Sequence, residues 1–284
     1  MHTRASRLAP QESSIAQDHC TDSYSYGSTA SKMLLNANTA LLSPKILLVP
    51  YEPHHVATYN SWMQDEAILE ATASERLTLD QEYQMQRNWR KDGDKLTFIL
   101  CLPPANVASI PTGANLETLS PPIASEPIVA NKHDVPEVMI GDINLFLSES
   151  HDELPLNDRG MLGKRRLVGE LELMIARKEF QGQGYGKAAV LLFLLYVVVR
   201  REEIVQKFGE DSVLEYLAVK INQVNERSIA LFTSLGFKKT KEEPNYFGEF
   251  ELVLKDLDVV RVFGLLRLYG LERSRECEYV YKSE

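Results

Sequence analysis

Cysteine is nearly missing from this chain, and the three present, Cys20, Cys101 and Cys277, are an odd number set far apart. Without a C-x-x-C pair they make neither a disulfide framework nor a zinc site, so the reading is a reducing compartment and no metal. A long apolar run is missing too. The longest, Ala188–Val199, falls short of the roughly 20 residues that cross a bilayer, so it reads as a buried helix and no membrane partner is expected. Basic excess is absent: 31 Lys and Arg stand against 40 Asp and Glu, a net charge of −9. Nucleic-acid binding rests on a basic face that neutralises phosphates, and this composition does not advertise one. An acidic surface is compatible with a cationic substrate, though only as weak long-range steering.

Two phosphate-binding motifs are also missing, although the segment Gln181-Gly182-Gln183-Gly184-Tyr185-Gly186-Lys187 at first resembles both. A Walker A loop needs four residues before its Gly-Lys pair and a Ser or Thr after it; here three precede, and Ala188 follows. A dinucleotide fingerprint needs Gly at the sixth place of G-x-G-x-x-G, where this chain has Lys187. What remains is a glycine-rich turn from the strand-like run Leu171–Ala176 into the apolar helix. Glycine lets backbone N–H groups approach an anion, and the helix N-terminus adds its partial positive charge, so a diphosphate is the expected guest. The alternative is a connection that merely turns strand into helix.

A second signal follows. After the apolar run Leu214–Ile221, the segment Asn225–Phe237 reads as a helix capped by Asn225, with Ile229, Phe232 and Leu235 at helical spacing and Gly236 as its left-handed stop. Glu170 and Glu172 are two apart in a strand and project from one face, opposite Leu171, Leu173 and Ile175. Paired carboxylates raise at least one proton affinity, which suits a general base. The competing reading is a solvated pair bound to Arg177 or Lys187.

Gln181, Gly184 and Gly186 fit Q/R-x-x-G-x-G/A, and with N-x-x-[SA] at Asn225–Ser228 and the closing Leu235-Gly236-Phe237 the chain resembles the GNAT acetyltransferase superfamily. Val49-Pro50-Tyr51, Trp62-Met63, Thr72–Glu75, Leu77–Leu79, Gly141–Leu147 and Gly169–Glu172 narrow the likeness to the N-acetyltransferase 9-like proteins, on the branch with RimJ/RimL-type enzymes; it runs from about Met33 to about Leu254. The resemblance implies an α/β (α+β) fold, a mixed, mostly antiparallel sheet of about six to seven strands flanked by helices.

It also implies acetyl transfer from acetyl-CoA to a primary amine. The diphosphate would lie on Gln181, Gly182, Gln183, Gly184, Tyr185, Gly186 and Lys187, and the pantetheine arm along the backbone of Met174, Ile175 and Ala176. Asn225 would contact the cofactor, cap the helix, or both. Glu170, slightly preferred, or Glu172 would be the base. Many relatives carry at the position of Phe232 a Tyr that protonates the departing thiolate; Phe has no proton to give, so the acid is unassigned, with Tyr246 and Tyr185 as the substitutes to consider. A protein α-amine, whose ordinary pKa lies about 2.5 units below that of lysine, is the favoured acceptor. The alternative is a GNAT-fold binding protein with little catalysis, acting through contacts such as those with the cytoskeleton. A cytoplasmic location is expected, the nucleus being compatible with the same residues.

Residues 1–32, poor in aliphatics, are expected to form a disordered tail. Inserted loops are expected near 103–137, 148–166 and 200–213 of a domain spanning 33–256, and a partly helical extension over 257–284.

Overall fold

Runs of buried, mostly apolar strand residues build the centre of the molecule. In a computed structural model, which describes residues 35–105, 126–150, 163–209 and 211–281, ten strands form one sheet: β1 (Thr39–Leu42), β2 (Leu47–Pro50), β3 (Lys95–Cys101), β4 (Ile128–Val129), β5 (Met139–Glu149), β6 (Arg165–Ile175), β7 (Ser212–Asn222), β8 (Lys238–Lys239), β9 (Glu249–Leu254) and β10 (Arg275–Val280). Their order is β4-β10-β1-β2-β3-β5-β6-β7-β9-β8. The pairs β6–β7 and β4–β10 are parallel, and the others are antiparallel.

The helices are α1 (Val56–Trp62), α2 (Glu66–Ala71), α3 (Leu79–Trp89), α4 (Tyr185–Val199), α5 (Arg201–Phe208), α6 (Glu226–Ser234) and α7 (Val259–Leu268). One face of the sheet, with Phe98, Ile143, Leu145, Leu171 and Leu217, packs under α4, α6 and α7. The other, with Val49, Ile99, Met139 and Met174, packs under Val56 and Tyr59 of α1 and the following Met63. Every residue of α4 from Ala188 to Val198 is buried. A helix apolar all round needs cover on every side; the sheet supplies one, and α7, through Val262 and Leu266, supplies another.

Caps written in the sequence fix the helix starts. Thr78 accepts from the N–H of Gln81 and Gln81 reaches back to Thr78, a capping box for α3. Asp65 caps α2 and Asp258 caps α7.

Three expectations are corrected. The sheet has ten strands rather than six or seven, because β1, β4 and β8 span only four, two and two residues and β10 finds its partners more than a hundred residues away. The expected irregular segment 200–213 contains α5, where Ile204 and Val205 bury an apolar pair against the core; eight residues are too few to display a period. Helix α4 starts three residues before Ala188, because Gly184 takes a left-handed φ of +84° at its N-cap. Residues 257–284 carry α7 and then β10, which lies between β1 and β4. The tail 1–32, Cys20 and most of the inserted loops near 103–137 and 148–166 lie outside the described residues.

Candidate active site

The sheet opens between two of its central strands. The parallel ladder of β6 and β7 runs from Arg165↔Ser212 to Glu170↔Ala218 and stops. Beyond it β6 stays with β5 as far as Gly141↔Ile175, while β7 stays with β9 as far as Asn222↔Glu249. The chain from Leu171 to Ile175 therefore has a free edge facing the gap.

Strand alternation decides which groups line that edge. Ala176 donates its N–H to Ile140 O (2.8 Å) on the β5 side. The carbonyl of Met174 also faces β5, so close that a Cβ on Gly141 would lie 1.9 Å from it. Of the three residues expected to present backbone to a pantetheine arm, Met174 and Ala176 are thus turned away. Ile175 points into the gap, and alternation adds Leu173. The Ile175 carbonyl accepts from Gln181 Nε2 at 2.8 Å, which ties the glycine loop to the strand.

That loop then climbs into α4. Gly182 (φ +72°) and Gly184 (φ +84°) are left-handed. A Cβ on Gly182 would meet nothing within 4 Å, so the glycine is needed for its backbone angle rather than for space. Gly186 is closely packed: a Cβ there would come 3.2 Å from Leu173 Cδ2, so that side chain would have to give by a few tenths of an ångström. Gln183 Nε2 donates to Glu179 O. Because the N-cap is a glycine, no side chain caps α4, and the N–H groups of its first turn, at Tyr185, Gly186 and Lys187, are left for a ligand. These features fit a diphosphate bound at the helix end, with an extended arm running down the β6 edge.

Glu170 and Glu172 share the face of β6 that carries Met174, away from α4. They are not equivalent. Glu170 stands on the last rung shared with β7, where Lys220 Nζ donates to its Oε2 at 2.6 Å. Lys220 is thus a partner of Glu170, while the Arg177 and Lys187 of the competing reading lie against Glu179 and Tyr269. Glu172 stands two residues past the ladder's end, at the mouth of the gap, opposite Asn144. Asn225 Oδ1 accepts the Ser228 N–H (3.1 Å), so the helix-cap role is realised. Phe232 is 4% exposed and packs edge-on against Phe237 at 5.2 Å, a core aromatic that turns no hydroxyl toward the gap. Tyr246 is 97% exposed.

Sequence reading missed two buried polar residues on this face. Asp142 and Asn144 are 2% and 4% exposed. Asn144 Nδ2 donates to Asp142 Oδ2 (2.7 Å), and Tyr59 O–H reaches the same oxygen at 3.5 Å. The available signal was polar residues at i and i+2 of an otherwise apolar strand, Gly141–Leu147. They line the face on which an acceptor would approach Glu172.

A second polar cluster lies elsewhere. Asp134 Oδ2 accepts from His54 Nε2 and His55 Nε2, each at 3.1 Å, and from the Tyr279 hydroxyl, while Oδ1 accepts the Asn131 N–H (2.7 Å). Two histidines and a carboxylate could hold a metal. The tautomer argues against it: His55 Nδ1 accepts the Glu52 N–H (3.0 Å), so the ring proton sits on Nε2, the atom that would have to ligate. The arrangement is a hydrogen-bonded clasp that fastens the turn before α1 to β10 and to the segment after β4. Burial lowers the His55 pKa to about 4, so the ring is neutral; hydrogen bonds from His54, His55 and Tyr279 outweigh burial at Asp134 and hold its carboxyl well below the usual range.

Comparison with known proteins agrees with this geometry. Residues 45–238 match the family model described as an acetyltransferase (GNAT) domain. An N-acetyltransferase 9-like protein of Schizosaccharomyces pombe is 38% identical over 237 residues, covering 78% of this chain and 98% of the relative. An alpha/beta-tubulin-N-acetyltransferase 9 of Drosophila melanogaster is 36% identical, covering 74% of this chain and 83% of its own. The mouse protein of the same name is 37% identical, covering 87% and 86%.

Proposed function

Since this chain belongs to the GNAT acetyltransferase family and is an acetyl-CoA-dependent N-acetyltransferase, we propose that its acceptor is a protein amino terminus, with tubulin the first candidate. The observation that carries the cofactor half of the reading is the free edge of β6 leading straight to the uncapped end of α4; the acceptor half is supported by the names of relatives and by amine chemistry. Tubulin enters from the names of relatives that cover most of their own length with this chain. The α-amine is favoured over lysine because holding a lysine neutral near pH 7.5 costs about 3.4 kcal/mol more.

When bound, the cofactor supplies an acetyl thioester. In this reading the amides of Tyr185, Gly186 and Lys187 hold its diphosphate, and Leu173 and Ile175 hold its arm as an added strand would be held. Gln181 leaves the Ile175 carbonyl or shares it. Asn225 keeps its capping bond and can offer its amide hydrogens to the same ligand. Glu172 takes the proton of the acceptor amine, directly or through water; Glu170, occupied by Lys220, is the lesser candidate. Asp142 and Asn144 present acceptor oxygens to the incoming amine. No residue supplies a proton to the leaving thiolate from the place of Phe232, and the thiolate, a moderately acidic leaving group, departs unprotonated into water.

Labelled acetyl-CoA and a peptide panel test this, with tubulin amino-terminal sequences, the same peptides blocked at the α-amine, and peptides with internal lysine only. Label should enter the free amino termini alone. Label in the blocked, lysine-bearing peptides would reject the α-amine assignment. The variant Gly184→Asp places a side chain at a left-handed residue and a negative charge where the diphosphate binds, and should abolish cofactor binding.

A further inference from the structure

Four cations border the glycine loop: Lys45 in the turn before β2, Arg177 and Lys178 before the loop, and Lys187 in the first turn of α4. Two are already neutralised. Arg177 pairs with Glu179 at 2.7 Å and Lys178 with Asp65 at 3.0 Å. Lys45 and Lys187 pair with no carboxylate among the described residues. Each instead rests on an aromatic ring: Lys45 Nζ lies 4.9 Å from the centre of Tyr185, and Lys187 Nζ lies 4.1 Å from that of Tyr269.

The positions are specific. The Lys45 stem passes directly over Gly184, whose Cβ, if present, would lie 3.4 Å from Lys45 Cε. Lys187 sits three residues along on the same helical turn. Tyr269 follows α7, in a part of the chain beyond the 45–238 match; α7 packs along α4 and delivers the ring to its N-terminal end. A hydrogen bond from the Lys187 ammonium to the Tyr269 hydroxyl lowers the Tyr269 pKa, so this lysine is held by the phenol oxygen as well as by the ring.

A protein with a net charge of −9 has acids to spare for its lysines, yet these two are left to tyrosine rings. A ring face attracts an ammonium more weakly than a phosphate does, because the ring offers a quadrupole and the phosphate a full charge. We propose that Lys45 and Lys187 are a two-sided clamp for the phosphates of coenzyme A, and that Tyr185 and Tyr269 hold them beside the loop until the phosphates arrive. The proposal rests on the reading of the loop as the cofactor site. Backbone amides supply the cradle; the clamp adds charge from two distant segments, the β1–β2 turn and α4, with the C-terminal α7 positioning one arm.

The test is calorimetric binding to the full chain, with coenzyme A and 3′-dephospho-coenzyme A as probes, for wild type, Lys45→Ala, Lys187→Ala and the double variant. Both lysines are partly exposed, so the variants should keep the wild-type melting temperature. Each single substitution should weaken coenzyme A binding about tenfold, as expected for loss of one charged hydrogen bond, and the pair about a hundredfold if the sites act independently. Affinity should also become less sensitive to salt with each lysine removed. A loss equal for both probes places that lysine on the diphosphate; a loss confined to coenzyme A places it on the 3′-phosphate. Tyr269→Phe keeps the ring and should bind within twofold of wild type. If wild type binds and the double variant binds within twofold of it, the clamp is wrong while the cofactor site stands. If wild type binds neither probe, the cofactor reading falls and the clamp with it.

Discussion

Acidifying the protein from pH 7 to pH 4 should remove about 3 kcal/mol of stability through one side chain, His55. The ring is fully buried, and burial brings its pKa from the ordinary 6.5 to about 4. The unfolded chain protonates the same ring near 6.5, so between pH 6.5 and about 4 the unfolded state binds more protons than the folded one. Stability therefore rises with pH in that window, is fully present above it, and is lost as pH falls through it. A shift of about 2.5 units at 1.36 kcal/mol each gives about 3.4 kcal/mol. Asp134, whose pKa is depressed by hydrogen bonds from His54, His55 and Tyr279, adds a further loss below the ordinary carboxylate range. Glu52, beside the clasp and paired with Arg90, is pushed the other way by burial, so its contribution has the opposite sign and must be subtracted. Urea unfolding at half-unit steps from pH 8 to pH 4.5, for wild type and for His55→Gln, isolates the histidine as the difference between the two slopes. That difference should approach 1.36 kcal/mol per pH unit near pH 5. Parallel curves would refute the buried neutral imidazole and the tautomer assigned to it.

The remaining expectations concern the clasp, the sheet and the gap. Tyr279→Phe removes one charged hydrogen bond to Asp134 and should cost about 1.5–3 kcal/mol in urea unfolding. Gly141→Ala should destabilise by at least about 1–3 kcal/mol, read as a lowered melting temperature, because its Cβ collides with the backbone of Met174 rather than with a movable side chain. Glu172→Gln should lower kcat about 10²–10⁴-fold at unchanged cofactor affinity; Glu170→Gln should lower it much less, and the reverse order would exchange their roles. Phe232→Ala should cost about 3–5 kcal/mol as a core cavity, measured by chemical denaturation.

The cofactor half of the site was legible because its chemistry is local. Gly182, Gly184 and Gly186 alternate within one short loop, the first two at left-handed backbone angles and the third closely packed, and Asn225 and Gly236 mark the ends of one short helix. The acceptor half was not. Asp142 and Asn144 acquire meaning only when β5 is set between β3 and β6, and Lys220 reaches Glu170 only through the β6–β7 ladder. The face of Glu170 and Glu172 followed from alternation; which of them stands past the end of the ladder depended on register. Likewise β10 carries Cys277 and Tyr279 inward, but its partners are Thr39–Leu42 and Ile128–Val129, more than a hundred residues away. The two-residue strands β4 and β8 are too short to display any period.

Amide hydrogen exchange with and without coenzyme A tests the central claim most directly. Binding should slow exchange in two separate stretches at once, the amides around Gly184–Lys187 and the β6 edge at Leu173 and Ile175, with no comparable change at Met174, whose backbone already faces β5. Slowing elsewhere in the chain with these two stretches unaffected would contradict the account.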